Sequence, residues 1–418
     1  MVIKKLELNS FRNYECLEIE FSQSYNVIYG QNGQGKTNIV EALFFCSAAR
    51  SHRTNKDVEL IKEGMPLAKM QLHMEREGLE KEIQIVLSRN ERKKIKINEI
   101  PQKKIGNLIG CLNVVLFSPE DLMIIKEGPS LRRKFIDISI SQLRPRYFKL
   151  LVDYLHVLHQ KSALLKENND PKKTMELLDV WNTSLAAYGA KIMKERETYI
   201  QKLSLYAKEN HLELTGGKEQ LEVRYISSIN KYAKSTMTKS YTRTTSHEED
   251  NIDKHENMNE EKNMEEHELT EMFYEKLKDN MQSEMRRGAC LVGVQRDDYV
   301  LCLDGRDSKV YGSQGQQRTA ILSAKLAEIN VVNEEIGDNP ILLLDDVMSE
   351  LDSDRRSFLL KRLRDIQTVI TCTDKQIYEG KLSGDETYIA IRGGKKVEED
   401  ETYIDIGDGK KVEEDETC

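Results

Sequence analysis

The chain has 418 residues, enough for more than one compact unit. Its seven Cys residues include no C-x-x-C pair, which argues against a disulfide scaffold or zinc site and for a reduced, cytoplasmic protein. Residues 246–276 carry a net charge of −9 and residues 385–418 one of −7, so the overall −8 leaves about +8 on the remaining body, the sign that binding to DNA requires.

In chain order, the opening "MVIKKLELNSFRNY" has no apolar core of the kind a signal peptide needs. Residues 3–8 and 17–21 alternate in polarity and predict strands, as does "SYNVIY" just before a glycine-rich loop. Behind the loop, "TNIVEALFFCSAA" places apolar groups at Ile39, Val40, Leu43 and Phe44, a helical period. "EIQIVLS" and "VLFS" predict further strands, and "KKIKINEIPQKKI" predicts a turn near Asn98–Glu99. From Ser118 the pattern becomes helical, with Ser118 before Pro119 and Gly128 before Pro129 as helix starts. Long helical patterns cover 146–166, 174–209 and 270–287, which makes 120–285 a mainly helical lobe. Within it, 234–268 is too polar to offset its ordering entropy and reads as a disordered acidic insertion.

Strands are expected again at 290–303 and 341–345, and no apolar run is long enough to span a bilayer. Residues 386–400 are then repeated at 401–415; the first copy fits a terminal β-hairpin and the second a duplicated tail. The resulting organisation is 1–119, the helical lobe 120–285, 286–384 and an acidic tail 385–418.

The loop itself, Gly30, Gln31, Asn32, Gly33, Gln34, Gly35, Lys36 and Thr37, has the G-x-x-x-x-G-K-[ST] spacing of a phosphate-binding loop. Strand, loop and helix in that order aim backbone N–H groups and a helix N-terminus at an anion. In such a loop Lys36 would reach the β- and γ-phosphates of ATP, and the Thr37 hydroxyl would ligate Mg²⁺. A second part of the site lies about 300 residues later, in "NPILLLDDVMSELD". There an apolar strand delivers Asp345, suited to Mg²⁺, and Asp346, suited to polarising an attacking water. Upstream, "YGSQGQQRTAIL" opens a helix at Ser313, Gly315 and Gln316, whose N-terminus can receive a phosphate by the same physics.

Phosphate loop, long gap, S-x-G-Q helix and acidic strand form the layout of an ABC-type ATPase head. "LNSFRNY", "GQNGQGKTN", "EGPSLRRKFID", "GSQGQQRT" and "LLLDDVMSELD" together resemble the RecF family of bacterial DNA replication and repair proteins, over residues 1 to about 384. The resemblance implies an α/β fold: an ABC-type P-loop head with mixed sheets plus a helical second lobe. It implies a slow, DNA-stimulated ATPase that dimerises head to head, with Ser313 to Gln316 completing the ATP site of the other subunit. It further implies action at single-strand gaps with RecO and RecR, help in loading the RecA recombinase, and support of SOS induction. Arg12, Arg132 and Arg133 are expected to contact phosphate or DNA.

Two departures stand out. Asp346 occupies the position of a glutamate in most ABC ATPases. Gly293-Val294-Gln295-Arg296-Asp297-Asp298 replaces the family's usual G-P-H-R-D-D. Among alternatives, a transport cassette would space its motifs more closely, and an SMC-like protein would carry long heptad arms. A small-molecule P-loop kinase would leave the S-x-G-Q helix unused.

Overall fold

The computed structural model describes residues 1–167, 171–229, 266–378, 382 and 384–397. Its first strands and helix are β1 (Val2–Phe11), β2 (Tyr14–Glu20), β3 (Tyr25–Tyr29), α1 (Lys36–Ala48), β4 (Leu67–Arg76) and β5 (Leu79–Ser88). Next come β6 (Lys94–Ile97), β7 (Ile100–Gln102), β8 (Val114–Phe117), α2 (Pro129–Leu143), α3 (Pro145–Glu167), α4 (Pro171–Thr215), β9 (Leu221–Ile226) and α5 (Glu266–Arg287). The chain continues with β10 (Asp298–Leu303), β11 (Arg306–Asp307), α6 (Gln314–Ile336), β12 (Ile341–Asp345) and α7 (Ser353–Arg362). It closes on β13 (Thr368–Cys372), β14 (Glu386–Arg392) and β15 (Lys395–Val397).

Two compact units result, one from residues 1–103 and 341–418, the other from 104–340. In the first, β2, β1, β4, β5, β6 and β7 lie in that order as an antiparallel sheet. The period-two pattern seen in sequence sets its buried face: Leu6 and Leu8 of β1, Met70, Leu72 and Met74 of β4, and Ile83, Ile85 and Leu87 of β5. The same unit also holds β14, β3, β13 and β12 side by side and parallel, with β15 antiparallel at the end. Every residue of β3, β12 and β13 is buried, as expected for parallel strands covered on both faces. Gln367 ties the two layers together: its amide donates to the carbonyls of Ile3 and Ser22, each at 2.7 Å, and accepts from the Ile3 amide at 2.6 Å.

The expected turn at Asn98–Glu99 is present, with φ of +48° and +63° at the two residues joining β6 to β7. The first repeat copy does form a hairpin, β14–β15, but it is no appended tail. β14 pairs with β3 from Glu386↔Tyr25 to Ala390↔Tyr29, and Ile389, Ala390 and Ile391 are buried. The second copy lies outside the described residues, as does the acidic insertion except for 266–268, which open α5.

The other unit is built on α4, a 45-residue helix about 68 Å long, against which α3, α5, α6 and β9 pack. Its close packing explains a mid-helix glycine. A Cβ on Gly189 would stand 1.8 Å from the Phe273 ring. The helices expected at 146–166, 174–209 and 270–287 each run a little longer in the structure. The unit also extends further than the expected lobe, because α6 and the β9–β10 pairing bind 286–340 to α4. Residues 104–119 likewise belong with it.

At its centre the fully buried Arg196 forks onto both oxygens of Asp137 at 3.0 Å and donates to the Val294 carbonyl at 2.8 Å. It also lies 3.5 Å from the buried Asp297. Among the described residues, no helix is long and apolar enough to cross a membrane.

Candidate phosphate-binding site

The glycine-rich loop leaves the end of β3 in a backbone path that a side chain would obstruct. Gly30 has φ of +149°, and a Cβ there would sit 2.3 Å from the Ile391 carbonyl oxygen of β14. Gly35 has φ of +114°, and its Cβ would meet the Asn13 side chain at 2.5 Å and the Tyr14 hydroxyl at 2.8 Å. Asn13 braces the loop by donating to the Gln34 carbonyl at 2.9 Å and accepting from Asn38 at 2.8 Å. From the other side, the Gly393 amide donates to the Gln34 side chain. Gln31 and Asn32 remain exposed at the crest, around Gly33 with φ of +81°.

Lys36 opens α1 and is buried, its ammonium held by the carbonyls of Gly30 at 2.6 Å and Gln31 at 2.9 Å. Burial lowers its pKa, opposed by the charges of Asp346, Cys372 and Asp345. The Thr37 hydroxyl donates to Asp345 Oδ1 at 2.9 Å, although the two residues are 308 apart in sequence. Their meeting follows from topology: β3 and β12 are both parallel neighbours of β13, so their C-terminal ends share one edge. Thr371, at the end of β13, donates to the same oxygen at 2.8 Å. Burial raises the Asp345 pKa, while the two threonine bonds oppose that shift.

Asp346 follows at φ of +53°, a left-handed backbone that costs energy for a residue with a Cβ and recurs at functional sites. Its amide donates to Thr371 Oγ1 at 2.9 Å, and its carbonyl accepts from Ser349 at 2.7 Å. Loop amides, an ammonium, a hydroxyl and a carboxylate thus converge where a polyphosphate and a hard cation can be held.

In the other unit, Ser313 caps α6. Its hydroxyl accepts from the Gln316 amide at 3.3 Å while Gln316 Oε1 accepts from the Ser313 amide at 2.8 Å. Gln316 is fixed further by donating to Glu219 at 2.9 Å. Gly315 is different: the nearest atom to a Cβ there would be Ser313 Oγ at 4.0 Å, so nothing among the described residues demands a glycine.

The family model described as RecF/RecN/SMC N terminal domain matches residues 2–396. The DNA replication and repair protein RecF of Acetivibrio thermocellus is 44% identical over 395 residues, covering 94% of this chain and 99% of that protein. Its counterpart in Ruminiclostridium cellulolyticum is 40% identical, covering 94% and 98%. This chain belongs to the RecF family. A solved structure described as the recombination mediator protein RecF with ATP in the RecFOR pathway covers 95% of this chain and 98% of its own, with 33% identity and a TM-score of 0.80. The fold is therefore that of an ABC-type head, as expected from the motifs.

Each of the three arginines expected at phosphate or DNA has internal partners in the structure. Arg12 forks onto Glu41 at 2.8 and 2.7 Å and donates to the Glu59 carbonyl at 3.0 Å. Glu41 is fully buried; burial pushes its pKa up, but the bonds from Arg12 and Ser51 outweigh this and hold it low. Arg132 is buried, forks onto Asp298 at 2.7 and 3.0 Å, and caps the carbonyls of Ile124 and Glu127. Arg133 donates to the Asp297 carbonyl at 2.7 Å, and burial lowers its pKa. In a single sequence, an internal arginine and a DNA-facing one look alike.

Gln295, where the RecF family commonly has histidine, accepts from the Tyr154 hydroxyl at 2.5 Å and donates to the Val292 carbonyl at 2.9 Å. The position acts as a half-buried link in this chain. The reading from sequence missed Asn13, Thr371 and the β14–β15 hairpin as supports of the loop. Asn13 follows Arg12 in "FRNY" and could have been singled out there; the hairpin carries no local signal for its contact.

Proposed function

We propose that this chain is a cytoplasmic, ATP-dependent DNA-binding protein of recombinational gap repair and replication restart. In this reading it dimerises on DNA with ATP, hydrolyses the nucleotide slowly with stimulation by DNA, and acts with RecO and RecR. Its role is to help load the recombinase at gaps and to support SOS induction. The observation that carries the reading is the Thr37–Asp345 contact beside Lys36, which assembles both halves of a nucleotide site from opposite ends of the chain.

The donor set fits ATP with Mg²⁺. Magnesium takes few protein ligands and completes its shell with phosphates and water, and one hydroxyl plus one carboxylate suit it. Thr37 and Asp345 would hold the ion, which when bound neutralises charge between the β- and γ-phosphates. Lys36, already directed along the loop, pairs with the same phosphates, and the amides of Gly33 to Thr37 cradle them. Asp346 orients the attacking water. Its side chain is shorter than glutamate and its hold on the water correspondingly looser, which suits a switch better than a motor.

The dimer is supported by Gly315, which no described residue requires to be glycine, and by Val310 and Tyr311, 67% and 69% exposed just ahead of Ser313. Apolar groups presented beside a phosphate-receiving helix start suit burial against a second subunit.

The test is sizing by light scattering with ATP, Mg²⁺ and a gapped duplex. The parent shifts from monomer to dimer, whereas Lys36→Met stays monomeric. A parent that remains monomeric throughout refutes the reading. Asp346→Asn provides a second expected result. Asparagine tolerates the left-handed backbone, so the variant folds and keeps Asp345 for the metal. It accumulates as an ATP-bound dimer with single-turnover cleavage slowed at least tenfold; cleavage at the parental rate removes Asp346 from the water-orienting role.

A further inference from the structure

We propose that the β6–β7 hairpin and the adjoining solvent face of its sheet form a contact surface for the phosphodiester backbone of DNA. The inference rests on the DNA-binding reading above and assigns that binding to particular residues.

Residues 89–103 hold six basic and two acidic groups. The structure separates those committed internally from those that are not. Lys93 donates to the Ala49 carbonyl at 2.6 Å and pairs with Asp57 at 2.9 Å. Arg89 donates to the Met65 carbonyl at 2.9 Å. Lys94 reaches only Glu91, at 2.6 Å, with both side chains well exposed, so that pair is weak and readily exchanged. Arg92, Lys96 and Lys103 are exposed and have no carboxylate within ion-pair distance among the described residues. These are the opposite circumstances from those of Arg12 and Arg132.

Register organises the surface. Lys69, Val86 and Lys94 lie in one row across β4, β5 and β6, and Gln71, Gln84 and Lys96 in the next. Ile95 between the two lysines is buried, so Lys94 and Lys96 project from the same face. Two residues along a strand span about 6.8 Å, roughly twice the 3.4 Å rise per phosphate of one DNA strand. The amides of Gln71 and Gln84 add neutral hydrogen-bonding groups beside the lysines. At the far end of the same sheet, β1 and β2 place Glu7 opposite Glu18 and Lys5 opposite Glu20. Lys5 pairs there with Glu7 at 2.8 Å and Glu18 at 2.9 Å, and Glu82 lies one row beyond Gln84 on β5, so the basic groups of this face on β4 to β6 are Lys69, Lys94 and Lys96.

The hairpin is rigid enough to hold such a contact. Its two-residue turn is tied to β5 by the Asn98 amide donating to the Glu82 carbonyl at 2.9 Å. The Glu82 amide donates back to Asn98 Oδ1 at 2.8 Å. Lysines and a proline on an edge strand also discourage pairing with other chains, a role that needs charge but no register.

The test compares Arg92→Ala/Lys96→Ala/Lys103→Ala with a control of equal charge change on the helical unit, Lys149→Ala/Lys208→Ala/Lys218→Ala. Both are measured in the full chain by fluorescence anisotropy on a gapped duplex with ATP and Mg²⁺ across a salt series, alongside ATP affinity. The hairpin variant binds DNA at least tenfold more weakly, its log–log salt slope is shallower by about 2 to 3, and its ATP affinity is unchanged. The control stays within about threefold of the parent. Parental DNA affinity in the hairpin variant, or an equal loss in both variants, overturns the inference while leaving the DNA-binding reading intact. A parent that binds no DNA with or without ATP overturns both.

Discussion

Arg196→Met destabilises the helical unit by about 3–5 kcal/mol, the usual cost of removing one partner from a buried ion pair. The guanidinium is almost fully buried, and burial by itself would disfavour its charge. Asp137, Tyr147, Tyr225 and Asp297 hold its pKa well above the ordinary arginine value nonetheless. Asp137 loses both of its 3.0 Å bonds in the variant, and Tyr147 loses the donor 3.0 Å from its hydroxyl. Asp297, with no solvent access, keeps the bonds from the Ser228 amide and Tyr225 but loses its nearest cation. Arg196→Lys recovers little, because an ammonium cannot fork onto one carboxylate and also reach the Val294 carbonyl. Urea unfolding followed by circular dichroism measures the change. A loss below about 1 kcal/mol would show that Tyr147, Tyr225 and Ser228 suffice without the arginine.

Ser313→Arg abolishes ATP-dependent dimerisation while leaving ATP affinity of the monomer at the parental value. Ser313 stands at the N-terminus of α6, where the helix dipole favours an anion. An arginine there removes a cap worth about 0.5–2 kcal/mol and fills the space beside Gly315 into which a second subunit's phosphate would come. The dimer dissociation constant rises at least tenfold, about 1.4 kcal/mol, in sedimentation or light scattering with ATP and Mg²⁺. Ser313→Thr retains a side-chain cap and separates loss of helix order from loss of the phosphate contact. If the arginine variant dimerises as readily as the parent, the composite site across two subunits is wrong.

The phosphate loop, the acidic pair after an apolar strand and the capped S-x-G-Q helix were all legible because each is a local pattern. Spacing and flanking periodicity suffice to place a glycine turn, a buried strand end or a helix start. The Asn98–Glu99 turn was legible for the same reason. Its two residues sit between two short strands, and both adopt the left-handed backbone the connection needs. The long helices were found nearly in full, since a 3.6-residue period sustained over many turns has few rivals.

The fate of individual charges could not be read the same way. Arg12, Arg132 and Arg133 sit in motifs that resemble phosphate contacts, yet each finds an internal acceptor; for Arg132 it is Asp298, 166 residues distant. A sequence records that a residue is basic, while the partner that neutralises it depends on which strands and helices become neighbours. The first copy of the C-terminal repeat was underestimated for that reason too. Nothing in "ETYIAIRGG" announces that it will pair with β3 and place the Ile391 carbonyl against Gly30.

By itself, then, the sequence determined the kind of chemistry this protein carries, because backbone freedom at glycines, a lysine, a hydroxyl and a strand-end carboxylate are properties of short segments. Only the tertiary structure decided that Thr37 meets Asp345 across 308 residues, that Asn13 and the last hairpin brace the loop, and which arginines are consumed inside the fold. The reason is physical. Parallel strand order and helix packing bring distant residues within hydrogen-bond range, and burial then makes every polar group find a partner wherever the fold supplies one.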